Sequence, residues 1–147
     1  MAVSSTSDVG VDVESLDQTM VENPADMVLS PAEHDWLESR PSTLRDRDFI
    51  KLWTVKEAYA KMIGRGIDLD FSSFEIAMEP LRIARSETGA QFTEDIYLTT
   101  QEISMHDGLY QLSLAAECTP LLKPEVVIHD IESQQIESDA HKLLRAG

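Results

Sequence analysis

Basic residues are scarce in this chain. Twelve Lys and Arg stand against 27 Asp and Glu, which leaves a formal charge of −15 over 147 residues. The two halves share the deficit, with −7 over residues 1–70 and −8 over 71–147. No segment is basic, which argues against a nucleic-acid-binding protein and against attachment to an anionic membrane. Cysteine is nearly absent. Cys118 stands alone, which excludes an internal disulfide and fits a reducing, cytoplasmic compartment. It lies in an apolar run and reads as a small buried hydrophobe. No run reaches 18 apolar residues and no basic-then-apolar leader opens the chain, so neither membrane spanning nor secretion is expected. The four histidines are scattered without metal-ligand spacing, which speaks against zinc. Walker, Rossmann and Gly-x-Ser-x-Gly patterns are missing, and so are internal repeats. What remains is 42% hydrophobic, enough for one domain with a core.

The strongest pattern runs from Phe49 to Gly66. Leu52, Val55, Tyr59, Met62 and Ile63 recur at three and four residues and mark the apolar face of a helix, expected over about 43–63. Ser42-Thr43 offers its cap, and Gly64 and Gly66 stop it. Glu57 and Lys61 lie four apart and share a face. On helix pattern alone they read as an ordinary surface ion pair.

Ahead of the helix, Asp8 to Glu14 alternates valines with acids, a strand pattern. Val9, Val11 and Val13 share one face, and Asp12 and Glu14 the other. Acids are poor strand formers. Two on one face suit either a solvated sheet face or a hard-cation site. Ser30-Pro31-Ala32-Glu33 is a capping box with proline at the first helical position. It opens a short helix that carries Trp36 and Leu37 and ends before Pro41. In that reading Glu33 belongs to the cap. Residues 67–73 read as a loop, 74–78 as a strand, and 80–89 as a weakly patterned connection. Two strands, 95–104 and 109–117, flank the Asp107-Gly108 turn. Val126–His129 adds a candidate edge strand. Residues 132–147 are polar and acidic, with a short helix near 140–145, and read as poorly ordered. The expected fold is α+β: an antiparallel sheet of 9–14, 74–78, 95–104 and 109–117, with one long central helix packed on it by Leu52, Val55, Tyr59 and Ile63.

Three fragments, in order, resemble one family. They are Val9-Gly10-Val11-Asp12-Val13-Glu14, then Leu29-Ser30-Pro31-Ala32-Glu33, then Leu52-Trp53-Thr54-Val55-Lys56-Glu57-Ala58-Tyr59-Ala60-Lys61 with Gly64-Arg65-Gly66. The family is the 4'-phosphopantetheinyl transferase superfamily, whose motifs are Gly-apolar-Asp-apolar-Glu and Trp-x-x-Lys-Glu-Ala-x-x-Lys followed by Gly-x-Gly. The resemblance covers about residues 8–117. The tryptophan, the Gly-Arg-Gly and the strand after it resemble the larger, surfactin-synthetase-activating type. That type joins two similar halves in one chain, and this chain resembles its second half. In length it is like the small carrier-protein-synthase type, which works as a trimer. It is therefore expected to be a self-assembling short form or an isolated half. On this reading residues 1–123 form a phosphopantetheinyl-transferase-like domain and 124–147 an acidic, partly disordered extension.

The resemblance implies an activity. The phosphopantetheine arm of coenzyme A moves to a serine of an apo carrier protein, with Mg2+ as cofactor and coenzyme A as co-substrate. It implies Asp12, Glu14 and Glu57 as metal ligands and Lys61 on the diphosphate, with Lys56 and Arg65 as further phosphate contacts. The proton acceptor is Glu57 or Glu33. The sequence offers no basic cluster for the remaining phosphate. A homo-oligomer or a partner chain is therefore expected to lend cations, for example through Arg40, Arg45, Arg47, Arg82 or Arg85 of a second copy. The other reading is a non-catalytic relative that serves as an interaction or regulatory partner. The high acidity leans toward it, because carrier proteins are themselves usually acidic.

Overall fold

A computed structural model describes residues 8–17, 25–85 and 95–118. The order of elements is β1 (Val9–Ser15), α1 (Ala25–Val28), α2 (Pro31–Ser39), α3 (Arg45–Met62), β2 (Glu75–Met78), β3 (Leu81–Arg85), β4 (Ile96–Met105) and β5 (Gly108–Glu117). Two 3-10 turns, Gly66–Asp68 and Phe71–Ser73, join α3 to β2. The fold is α+β and antiparallel, as the pattern predicts. Two shorter helices accompany the long one.

The sheet differs in one strand. β5 lies between β1 and β4, giving an antiparallel three-stranded sheet of order β1-β5-β4. The 75–78 strand is not part of it. It pairs with β3 in a separate hairpin, with Met78 opposite Leu81. β3 falls within the stretch read as a connection. Arginines flank its only fully buried side chain, Ile83, so its hydrophobic signal is too short to stand out from sequence. The candidate strand at 126–129, the 140–145 helix and the 124–147 extension lie outside the described residues.

α2 starts as its sequence dictates. The Ser30 side chain accepts from the Glu33 amide, and the Glu33 carboxylate accepts from the Ser30 amide. α3 starts differently. Its N-cap is Leu44 rather than Ser42 or Thr43, and no side chain caps it. A turn from Pro41 to Leu44 leads into the helix instead, with the Leu44 amide donating to the Pro41 carbonyl.

The core lies between α3, the inward sheet face and the β2–β3 hairpin. Leu52, Val55, Tyr59 and Met62 are buried there with Phe49, Phe74 and Ile76. Ile63 is partly buried against it. Cys118 is only half-buried at the end of β5. The expectation of a buried thiol is corrected, because the apolar run ends at the last strand residue.

Which face of β1 meets the helix decides the rest. Gly10, Asp12 and Glu14 face α3, while Val9, Val11 and Val13 face away, and Val13 is 49% exposed. Gly10 makes this packing possible. A Cβ there would press into the Ala58 carbonyl oxygen and stand 2.5 Å from the Met62 amide nitrogen. With hydrogen at that position, the strand and helix backbones touch.

Candidate active site

The site lies where that close approach brings β1 and α3 together. Thr54, Ala58 and Lys61 form one stripe of α3 along the sheet, at spacings of four and three. Thr54 Oγ1 meets Ser113 Oγ on β5 at 2.7 Å. Ser113 is the register partner of Asp12. Ser113 Oγ also bonds Thr100 Oγ1 on β4, which accepts from Gln111 Nε2. This buried hydroxyl network sets α3 on the sheet. Ala58 sits on Gly10, and Lys61 reaches Asp12.

Lys61 Nζ stands 2.5 Å from Asp12 Oδ1 and 3.9 Å from Glu57 Oε2. Both contacts meet at one nitrogen, so the two carboxylates are no farther apart than those limbs laid end to end. Asp12 is nearly buried, and its Oδ2 is a buried oxygen without a hydrogen-bond partner. A desolvated carboxylate oxygen left unpaired is costly, which makes it an open ligand position. Glu57 is held above the ordinary carboxylate range. Burial is the main cause, the negative charge of Asp12 adds to it, Lys61 pulls part of the way back, and Glu14 pushes up again. Asp12, Glu14 and Glu57 therefore act on one another, with a single ammonium between two of them. As the side chains stand, no three acid, histidine or cysteine groups converge as a ready-made metal cage among the described residues. The ammonium of Lys61 lies between Asp12 and Glu57. The donor set, all hard carboxylate oxygen with one oxygen unpaired, fits a hard divalent ion.

Two residues expected here are placed elsewhere. Lys56 is fully buried and Glu33 is 1% exposed. Their side chains pair with each other and point into the core between α2, α3 and β2. Lys56 is neighbour to Glu57 in sequence but about 100° away around the helix, and that angle carries it off the site. Arg65 stands exposed just past the end of α3, and its guanidinium joins none of the ion pairs around Asp12. Two features of the site were missed from sequence. One is the packing role of Gly10, which the motif contains, although a lone glycine inside a strand is itself a signal of close backbone approach. The other is the Thr54–Ser113 contact, which links residues 59 apart and leaves no local trace.

The outward sheet face has a different character. It carries Val9, Val11 and Val13 of β1, Leu112, Leu114 and Ala116 of β5, and Tyr97 and Thr99 of β4, by the register of the ladders. No Asp, Glu, Lys or Arg of these three strands falls on it. Asp12, Glu14, Glu102 and Glu117 all lie on the inward rows.

A strand with two inward acids and a helix that offers a third acid and a lysine to them, with an antiparallel sheet behind, form one acidic cluster around the Lys61 ammonium. Residues 8–115 match the family model of the 4'-phosphopantetheinyl transferase superfamily. The chain belongs to that superfamily, and the resemblance read from its motifs is borne out. It is 36% identical over 88 residues to the 4'-phosphopantetheinyl transferase HetI of Nostoc sp., a match covering 59% of this chain and 37% of that protein. It is 34% identical over 68 residues to the 4'-phosphopantetheinyl transferase gsp of Aneurinibacillus migulanus, covering 46% of this chain and 28% of the relative. The matched region thus spans about a third of these relatives. Among solved structures, the fold is similar to a holo-(acyl-carrier-protein) synthase from Bacillus anthracis, determined in complex with CoA (3',5'-ADP). That likeness has a TM-score of 0.54 at 18% identity and covers 76% of this chain and 96% of the other.

Proposed function

We propose that this chain transfers the 4'-phosphopantetheine arm of coenzyme A to a serine hydroxyl of an apo carrier protein, in a Mg2+-dependent reaction. The observation that carries the reading is the meeting of Asp12, Glu57 and Lys61 at one point, with Asp12 Oδ2 buried and unpaired. Asp12 and Glu57, with Glu14 behind them, are the residues that would hold the ion. When bound, the ion supplies Lewis-acid stabilisation of charge on the diphosphate. Lys61, 44% exposed, is free to leave Asp12 and reach a phosphate oxygen of the substrate. The serine oxygen attacks the phosphorus nearer the pantetheine, and adenosine 3',5'-bisphosphate leaves. Of the two acids that sequence offers for the serine proton, Glu57 is the one at the site. Arg65, exposed just past the end of α3, is a further contact for the nucleotide phosphates.

The carrier protein and coenzyme A are both anionic in character, and this chain has only twelve basic residues. A second copy, or a chain resembling the other half of the larger family type, completes the cationic part of the pocket. The charge-free outward face of the sheet supports this. In a chain of charge −15 it is where another protein surface can approach without like-charge repulsion. We assign the reaction to the cytoplasm on the single cysteine. No helix among the described residues is long and apolar enough to cross a membrane.

The test is direct. The purified chain is incubated with Mg2+, coenzyme A and an apo carrier protein, and the carrier is weighed by mass spectrometry. Addition of one phosphopantetheine arm supports the reading. A carrier left unmodified, with the chain alone and with a half-like partner added, leaves the chain as an interaction partner only.

A further inference from the structure

Glu33 and Lys56 are ionised groups of opposite sign with no exposure to speak of. Each makes three contacts, all to groups inside the protein. Glu33 Oε2 accepts from Lys56 Nζ at 2.5 Å and from the Ser30 amide at 2.7 Å, and Oε1 accepts from the Ile76 amide at 2.7 Å. Lys56 Nζ also donates to the Phe74 carbonyl at 3.1 Å and stands 4.4 Å from the centroid of the Phe74 ring. Its three N–H groups are thus spent on a carboxylate, a carbonyl and a ring face. A general base needs a free lone pair within reach of the proton it takes. Glu33 offers none to the outside, and Lys56 has no donor left for a phosphate.

We infer that Glu33 and Lys56 are positioning residues, whose buried pair fixes the rotation of α3 about its axis and so fixes where Glu57 and Lys61 stand against Asp12. The inference rests on the reading of Asp12, Glu57 and Lys61 given under Proposed function. The geometry supports it from three sides. Glu33 ties Lys56 to the start of α2 through Ser30 and to β2 through Ile76, while Phe74 holds the ammonium from the chain just before β2. Three elements therefore grip one side chain of α3. Glu57 follows Lys56 directly, about 100° around the same helix. Any turn of α3 that frees Lys56 swings Glu57 off Asp12. The pair acts through Glu57 and touches no reacting atom.

Two experiments test it on the whole chain. The first is amine labelling read by mass spectrometry, with and without coenzyme A and Mg2+. Lys56 is expected to react about 100-fold more slowly than Lys51 or Lys61, because labelling waits on local opening. Coenzyme A is expected to slow only Lys61. A Lys56 that labels at the pace of Lys51, or that coenzyme A protects from a fast reaction, overturns the inference. The second compares Glu33→Gln with Glu33→Gln/Lys56→Met. The single change strands a buried ammonium. It should weaken apparent Mg2+ affinity and cut transfer about tenfold. The double change removes the stranded charge as well, and should recover most of both losses. A double variant that melts with the parent yet transfers about 1,000-fold more slowly, as when a catalytic base is missing, refutes the positioning role. If the double variant does not fold, the labelling result decides. A parent that modifies no carrier protein fails the functional reading alone, since the Lys56 labelling rate is measured without a carrier.

Discussion

Gly10→Ala is a one-methyl change that should damage both fold and site. The backbone at Gly10 has no positive φ, so the cost is not conformational strain. It is contact. The new Cβ would run into the Ala58 carbonyl oxygen, with the Met62 amide nitrogen at 2.5 Å and the Ala58 carbonyl carbon at 3.1 Å. Ordinary van der Waals contact begins at 3.4 Å. All three obstacles are backbone atoms of a helix, which cannot swing aside as a side chain does. Relief requires α3 and β1 to separate by about 1 Å, and overpacking of this kind costs about 1–3 kcal/mol. For a chain of this size that is a fall in melting temperature of about 3–12 °C. The separation also acts on function. Asp12 is two residues along β1 from Gly10, and Lys61 is one turn along α3 from Ala58. Pulling the two backbones apart lengthens the Asp12–Lys61 contact, now 2.5 Å, and opens the carboxylate pair. Thermal melts with and without Mg2+ read both effects. The variant should melt lower and gain less from Mg2+ than the parent. A Gly10→Ala chain with the parent's melting temperature and the parent's transfer rate would mean that α3 does not lie on β1 as described. Gly64→Ala is the control. Gly64 has φ +71° and open space around it, so alanine there costs about 1 kcal/mol of backbone strain and leaves the site in place.

Three further outcomes follow from the same geometry. Glu57→Gln should abolish Mg2+-dependent transfer and the Mg2+-induced rise in melting temperature while leaving the fold intact; a variant with near-parental turnover removes Glu57 from the site. Because the folded protein raises the Glu57 pKa, this group's contribution to stability is fully present below its unfolded value, about 4.3, and is lost as pH rises through the folded value. Without metal, Glu57→Gln should therefore melt no lower than the parent at neutral pH, with the difference closing in acid. A variant clearly less stable than the parent at pH 7 would contradict that sign. Ser113→Ala breaks the buried link from Thr54 to Thr100 and should cost about 1–2 kcal/mol in urea unfolding, an unchanged midpoint being the contrary result. Val11→Asp puts a charge on the charge-free sheet face. Light scattering should show the proposed assembly dissociating, with activity lost on dilution; a parent already monomeric, whose activity per molecule holds on dilution, shows that this chain completes its own site.

Much of this architecture was legible because it rests on local signals. The capping box at Ser30 and the period of α3 each depend on neighbours within four residues, and the structure reproduces both. The Asp107-Gly108 signal placed the β4–β5 hairpin for the same reason, with His106 and Asp107 as the loop and Gly108 opening β5. The partner of β2 was not legible. Pairing with β3 rather than with the main sheet is decided by which faces the core covers, and β3 buries little beyond Ile83. The face of β1 was harder still. Three valines against two acids argue by composition that the valines go inside. The structure turns the acids inward, because the glycine on their row lets a helix come closer than any valine row allows.

One short stretch of α3 feeds two Glu–Lys pairs, Glu33–Lys56 in the core and Glu57–Lys61 at the site. Lys56 and Glu57 are adjacent, and Glu57 and Lys61 are four apart. All three fall in one motif, and in sequence only the step of about 100° around the helix sets Lys56 apart. Burial separates them. Lys56 is sealed in, spends every donor on Glu33, Phe74 and a ring face, and is pushed below its ordinary value by that burial even with Glu33 opposing. Lys61 is 44% exposed and shared between two acids. A buried, saturated pair can hold an element in place but has nothing left to give a substrate. An exposed, under-satisfied one has little to lose by exchanging a carboxylate for a phosphate. The same pair of residue types therefore yields a strut on one side of α3 and an exposed, shared ammonium on the other. The 100° step between consecutive helix residues is what assigns each charge to its side.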